Sequence, residues 1–226
     1  MTPASDAPRA RLDRTQVVVA AVARADQAGL DQLSMRSLAH ELGVVPMALY
    51  KHVANKDELL DGMVDLVWSE VEPPRIGAPW RQGMRARTVS LREALRRHRW
   101  AIGLMEARMR PGPANLRQHN AMMGCLRESG FSFRTTVHVT TVLDAYVYGF
   151  ALQEHTLPFE TPAQSGEVAA QHMESVPPEA AAAFPYLVEV VTELAQAGYD
   201  HDDEFETGLE LILDGIERLR PTWRTG

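Results

Sequence analysis

The stretch Leu33 to Lys56, LSMRSLAHELGVVPMALYKHVANK, constrains the fold more than any other part of the chain. Ser34 is a good N-cap, and Met35, Leu38, Ala39 and Leu42 follow at the spacing of one helical face. Gly43 supplies a left-handed residue to close that helix, and Pro46 suits the first position of the next. The second helix is short, Pro46 to His52, with Leu49 and Val53 turned inward. Asn55 and Glu58 then stand at capping-box spacing and start a third helix. A helix, a glycine turn and a short helix form the arrangement that places a helix in a DNA major groove.

The residues before this stretch complete a small head. Residues 1–12 are rich in Pro, Ala and Arg without periodicity, and a flexible arm is expected there. Arg9, Arg11 and Arg14 are open to two readings, phosphate contacts or a solvated tail. Asp13 with Gln16 caps a first helix, carried by Val17, Val18, Ala21, Val22 and Ala25 to Gly29. Residues 13–54 are therefore predicted to be a three-helix DNA-binding head. A connecting helix over 55–73 has apolar residues on more than one side and stops at Pro73-Pro74.

Beyond a linker at Ile76-Gly77-Ala78-Pro79, residues 79–226 read as a larger helical body. Trp80 to Arg97 carries Met84, Thr88, Leu91 and Leu95 on one face and a basic strip on the other. Trp100 to Ala107, Ala114 to Ser129, and a long segment from Ser132 or Phe133 to about His155 follow as helices. Thr156 to Gly166 reads as a loop, Glu167 to Ser175 as a short helix, and Glu179 to Gly198 as one continuous helix. Asp202-Asp203 are expected to cap the last helix, with Phe205, Leu209, Ile212, Leu213, Ile216 and Leu219 inward. No useful run alternates like a strand, so the predicted class is all-α.

Charge and composition narrow the function. The net charge is −7, but through Lys56 the chain carries seven Lys/Arg against five Asp/Glu. A mildly basic head on an acidic body suits DNA binding by the head alone. No apolar run reaches the roughly 18 residues of a membrane span, and the N-terminus lacks the apolar segment of a secretory signal. The single Cys125 fits a reducing cytoplasm and reads as a small buried residue. The eight histidines show neither an i, i+4 pair nor HExxH spacing, and no metal or cofactor is expected. No nucleophile motif, phosphate-cradling glycine loop or paired-carboxylate spacing appears, so an enzyme is the weaker alternative. A ligand-binding dimer whose head no longer reads DNA is a second alternative.

Met35-Arg36-Ser37-Leu38-Ala39, Leu42-Gly43-Val44, Ala48-Leu49-Tyr50-Lys51-His52-Val53 and Asn55-Lys56-Asp57-Glu58-Leu59-Leu60 together resemble the head of the tetracycline-repressor (TetR) family. Gly130-Phe131-Ser132 and Phe205 to Ile216 are similar to its C-terminal ligand domain. The intact LYKHV and NKDELL segments argue against a silent head. The resemblance implies a cytoplasmic homodimeric repressor that binds a palindromic double-stranded DNA operator and leaves it when a small-molecule effector enters the body. In such a dimer two short helices meet successive major grooves about 34–36 Å apart.

Ser34, Arg36, Pro46, Met47, Ala48, Tyr50, Lys51, His52 and Lys56 are the DNA-contact candidates. Pro46, Met47 and Ala48 suit apolar contacts with thymine methyls, while Arg36 suits a guanine edge or a phosphate. Family members use the positions of Tyr50, Lys51, His52 and Lys56 on phosphates; packing within the head is the other reading for Tyr50. With few polar base readers, DNA shape is expected to share in specificity. Met105, Arg108, Met109, His119, Met122, Met123, His138, Tyr146 and Gln153 are the effector candidates, a methionine-rich set that suits a largely apolar molecule or an ordinary core. The resemblance puts Met105 and Gln153 where tetracycline repressor holds a magnesium–drug chelate through a histidine and a glutamate. Neither suits a hard cation, so a metal-chelated tetracycline is not expected. Gly208 and Gly215, seven apart, suggest close helix approach within a four-helix dimer interface.

Overall fold

The computed structural model describes residues 12–105, 107 and 110–219, and among them the chain is helices and turns without a strand. Two compact units form: one takes in the chain up to Pro73 with Glu93–Ala121, the other Pro74–Arg92 with the chain from Met122 onward.

In the first unit, α1 (Arg14–Ala28) opens on a full capping box in which Asp13 accepts from the Gln16 amide and Gln16 reaches back. Its stripe Val17, Val18, Ala21, Val22 and Ala25 is buried against Leu33, Leu38, Ala39, Leu49, Val53, Leu59 and Met63. These come from a 3-10 turn and its exit, from α2 (Met35–Glu41), α3 (Pro46–Leu49) and α4 (Lys56–Glu70). The short helix α3 therefore ends three residues earlier than the Pro46 to His52 span expected, because His52 and Val53 close a turn onto the Leu49 carbonyl. Glu58 completes a shifted box: Asn55 accepts from the Glu58 amide, while Glu58 accepts from Ala54.

The arm's Arg9 and Arg11 lie outside the described residues, and Arg14 stands 3.6 Å from Glu58. Within the same unit α4 buries Leu59, Leu60, Met63, Val64, Val67 and Trp68, apolar on more than one side as expected. Asp65 of α4 accepts from the Ala114 and Asn115 amides at 2.8 and 3.1 Å, capping α7 (Pro113–Glu128). Gln118 of α7 donates to the carbonyls of Val71 and Trp68. The expected Trp100–Ala107 helix is instead a 3-10 turn, Arg99–Ala101, followed by the single-turn α6 (Ile102–Met105).

The second unit takes the first part of α5 (Trp80–Arg97), the end of α7, α8 (Phe133–Thr156), α9 (Pro162–Ser175), α10 (Pro178–Ala183), α11 (Pro185–Ala197) and α12 (His201–Leu219). Four expectations change here. Helix α9 begins five residues earlier than read, since Thr161 and Gln164 form a capping box with Pro162 at the first position. The segment 179–198 breaks at Phe184 because Pro185 cannot continue a helix but starts one well. Asp200 is the α12 cap: its carboxylate accepts from the amides of Asp202 and Asp203, and those bonds hold it below the usual carboxylate range.

The basic strip of α5 is the fourth change, because it is not all solvated. Arg87 is 1% exposed and pairs with Asp144 of α8. Arg92 reaches Glu154 and Asp202 at 2.9 Å and lies over the rings of Phe150 and Phe205. Arg81 and Arg85 form ion pairs with Glu206, Glu210 and Asp214 of α12. A stripe that looks water-facing from sequence is thus the seam between α5, α8 and α12. Cys125 is buried with its thiol raised by that burial, in line with its sequence reading.

Candidate DNA reader and effector cavity

The turn between α2 and α3 is fixed by backbone bonds. Gly43 has φ +65°, its amide donates to His40, and the Val44 amide donates to Ala39, a Schellman closure. Ser34 and Ser37 cap the other end reciprocally, so the Ser34 hydroxyl is engaged within its own helix. Leu38, Ala39 and Leu49 anchor the pair to the head core. What faces outward follows from that anchoring.

Arg36, Pro46, Met47, Tyr50, Lys51 and Lys56 are exposed, and Ala48 and His52 are half-buried. Met47 is 70% exposed, a large apolar side chain that serves no core in the chain itself. Among the described residues no carboxylate pairs with Arg36, Lys51 or Lys56, whereas Arg24 is engaged by Glu41 at 3.0 Å. All nine DNA candidates thus come from one short segment, with Leu49 alone of the α3 residues fully inside.

The effector candidates divide between the units: Met105 and His119 belong to the first, and Met122, Met123, His138, Tyr146 and Gln153 to the second. Met105 and Met122 are buried, His119 is half-buried with its ring 5.8 Å from that of Trp68, and Met123 and His138 are exposed. Tyr146 is half-buried; burial pushes its phenol up to about 12, and the hydroxyl donates to the Phe205 carbonyl at 2.8 Å. Arg108 and Met109 lie outside the described residues. Among the described residues of the set, Gln153 alone lines a cavity of about 500 Å³ in the second unit, with Thr156, Leu157, Phe159, Ser165, Val168, Ala169, His172, Val191, Leu194 and Tyr199. Sequence reading passed over these lining residues. Their signal was the Thr161–Gln164 capping box, which turns a supposed loop into the helix that forms one wall.

Gly208 approaches Tyr146 of its own chain so closely that a Cβ there would meet the phenol oxygen at 2.3 Å. It serves packing between α8 and α12 of one chain, while Gly215 has open space before it. Phe133, Val137, Val142 and Leu152 on α8 and Leu211 on α12 are exposed apolar side chains. Among the described residues no group of three or more His, Cys, Asp or Glu is placed to hold a metal ion, and no helix is long and apolar enough to cross a membrane.

A helix-turn-helix with a cationic, apolar-tipped face, followed by a body that is helical among the described residues, is the arrangement of a helix-turn-helix transcriptional regulator. Residues 17–63 match the family described as bacterial regulatory proteins, tetR family, and residues 73–220 match the tetracyclin repressor-like C-terminal domain. The transcriptional repressor DrrR1 of Streptomyces coeruleorubidus is 32% identical over 95% of this chain and 81% of its own length. The class A tetracycline repressor of Escherichia coli is 30% identical over 93% of both chains. The Streptomyces coelicolor TetR family protein ActR in complex with actinorhodin superposes with a TM-score of 0.76 at 33% identity, covering 92% of this chain and 96% of that one. The chain belongs to the tetR family of bacterial regulatory proteins. It is a DNA-binding transcriptional regulator of a family whose members bind operator DNA as dimers and respond to small-molecule ligands.

Proposed function

We propose that this chain is an effector-released repressor whose reading surface is the exposed face of α3 with Arg36, Tyr50, His52 and Lys56 around it. The observation that carries this reading is the outward set of Met47 on α3 and Tyr50 and Lys51 in the turn that follows it, pinned from behind by Leu49. Pro46, Met47 and Ala48 meet base edges; Ser34, Tyr50, Lys51, His52 and Lys56 position the head on phosphates, and Arg36 reads a base. Residues 13–54 act as head, 55–73 as connecting helix and 79–226 as ligand and dimer body. The exposed apolar residues of α8 and α12 meet their counterparts in a second copy. The regulator works in the cytoplasm and carries out no catalytic step.

The effector occupies the cavity walled by α9 and α11. Its volume suits a drug-sized molecule, its walls are mostly apolar, and none of its lining residues is Asp, Glu, Lys or Arg. An uncharged, partly aromatic molecule fits, with Gln153 and Tyr199 fixing polar groups. Titrating the protein into labelled DNA from upstream of its own coding sequence tests the reader. Binding should weaken steeply with salt and nearly vanish in Lys51→Ala. An unchanged ratio of operator to random-DNA affinity in Arg36→Ala would remove Arg36 as a base reader.

A further inference from the structure

Within the first unit three elements converge on one histidine. His98 follows the end of α5 and is buried, with Nδ1 2.9 Å from Oδ1 of Asp26 in the last turn of α1. Its Nε2 stands 3.1 and 3.2 Å from the two carboxylate oxygens of Glu70, the last residue of α4. Trp100, in the following 3-10 turn, donates from Nε1 to the same Asp26 oxygen at 2.6 Å. Arg97 donates to Glu70 at 2.8 Å. Trp100 and Leu104 also pack against the core of the head. The junction of α5 and α6 is thus bolted to the ends of both helices that frame the DNA reader.

The two ring nitrogens each face an oxygen that already accepts another donor. An imidazole can donate from both nitrogens only when it carries both protons; the neutral ring has one lone pair and would point it at a carboxylate. Among the described residues, the charged groups around the ring are Asp26 of α1, Glu70 of α4, and Arg97 of α5, which shares Glu70, with Arg99 next in sequence. Helix α6, Ile-Gly-Leu-Met, adds no charge.

We propose that the Asp26–His98–Glu70 clamp couples operator binding to a proton: the imidazolium pins α1 and α4 in the spacing the reader needs, and losing its second proton loosens that spacing. His98 acts through α1 and α4, at a distance from DNA, so it is a positioning residue. The clamp contributes fully while the ring is doubly protonated and is lost as pH rises.

The test measures operator affinity by fluorescence anisotropy, and melting temperature without DNA, from mildly acidic to mildly alkaline pH. The wild type should lose about tenfold in affinity across the range, the size of one charge-assisted hydrogen bond, with a parallel fall in melting temperature. His98→Gln should bind weakly with a much flatter pH profile, and His98→Lys should recover part of the affinity. His40 and His52 also lie in the reader, so the difference between wild type and His98→Gln is the quantity that counts. Equal profiles for the two would overturn the proposal. Should the variant fail to fold, nitrogen NMR of the His98 ring in the wild-type protein decides. Two protonated nitrogens at neutral pH support the clamp, and one bare nitrogen refutes it. The melting and NMR readouts stand even if the reading surface were placed elsewhere.

Discussion

The head and the α9–α11 segment are built from similar helices, yet they pack in opposite ways. In the first unit, α1 through α4 bury Val17, Ala21, Leu38, Leu49, Leu59 and Met63 completely, and α2 is fixed by its Ser34–Ser37 cap and the Gly43 turn. In α11 no residue is buried, although the helix is rich in Val and Leu, and a cavity of about 500 Å³ stands between it and α9. The contrast teaches a division of labour. A surface that must present side chains to DNA at fixed spacing needs a close-packed support, whereas a surface that accepts a variable molecule gains from unfilled volume.

The largest test of that contrast is a truncation in each region. Leu49→Ala should cost about 2–5 kcal/mol, because the site has no room to collapse around a lost side chain. Leu194→Ala on the cavity wall should cost less than half as much, and chemical denaturation of both variants makes the comparison. Comparable losses would mean that the α11 wall is as closely packed as the head. Next in size, Lys51→Ala should abolish tight operator binding with an unchanged melting temperature, read by gel shift and thermal scan. Ala169→Trp should fill the cavity and remove effector response while leaving DNA binding intact, which separates the two regions functionally.

Two smaller effects sharpen the account of the head. Ser34→Ala removes the N-cap of α2 and should lower stability by about 1 kcal/mol. The carboxyl of Glu70 is pushed up by burial, but hydrogen bonds from Arg97 and His98 outweigh that and hold it below its ordinary value. A carboxylate lowered on folding contributes stability above its unfolded pKa and loses it as pH falls through the folded one. Melting temperature should therefore fall on the acid side below about pH 4.5, and Glu70→Gln should flatten that limb.

How far the sequence led depended on how local the determining physics was. The capping box at Asp13, the cap at Ser34, Gly43 and the inward stripe of α1 are set within four residues of one another, and each was readable. The Thr161–Gln164 box was equally local, but the prolines and small polar residues around it carried the reading toward a loop. Arg87 and Arg92 were not readable as buried, since their partners Asp144, Glu154 and Asp202 lie more than fifty residues away. His98 gave no signal at all, because neither Asp26 nor Glu70 stands at a recognisable spacing from it.

The sequence by itself determined the all-α class, the helix-turn-helix and which face of it points outward, since caps, glycine turns and apolar periodicity act over one or two helical turns. Only the tertiary structure decided which charges are buried, where volume is left unfilled, and that a histidine from the α5–α6 junction joins the ends of α1 and α4. Those outcomes depend on which distant helices meet, and no local pattern encodes the meeting.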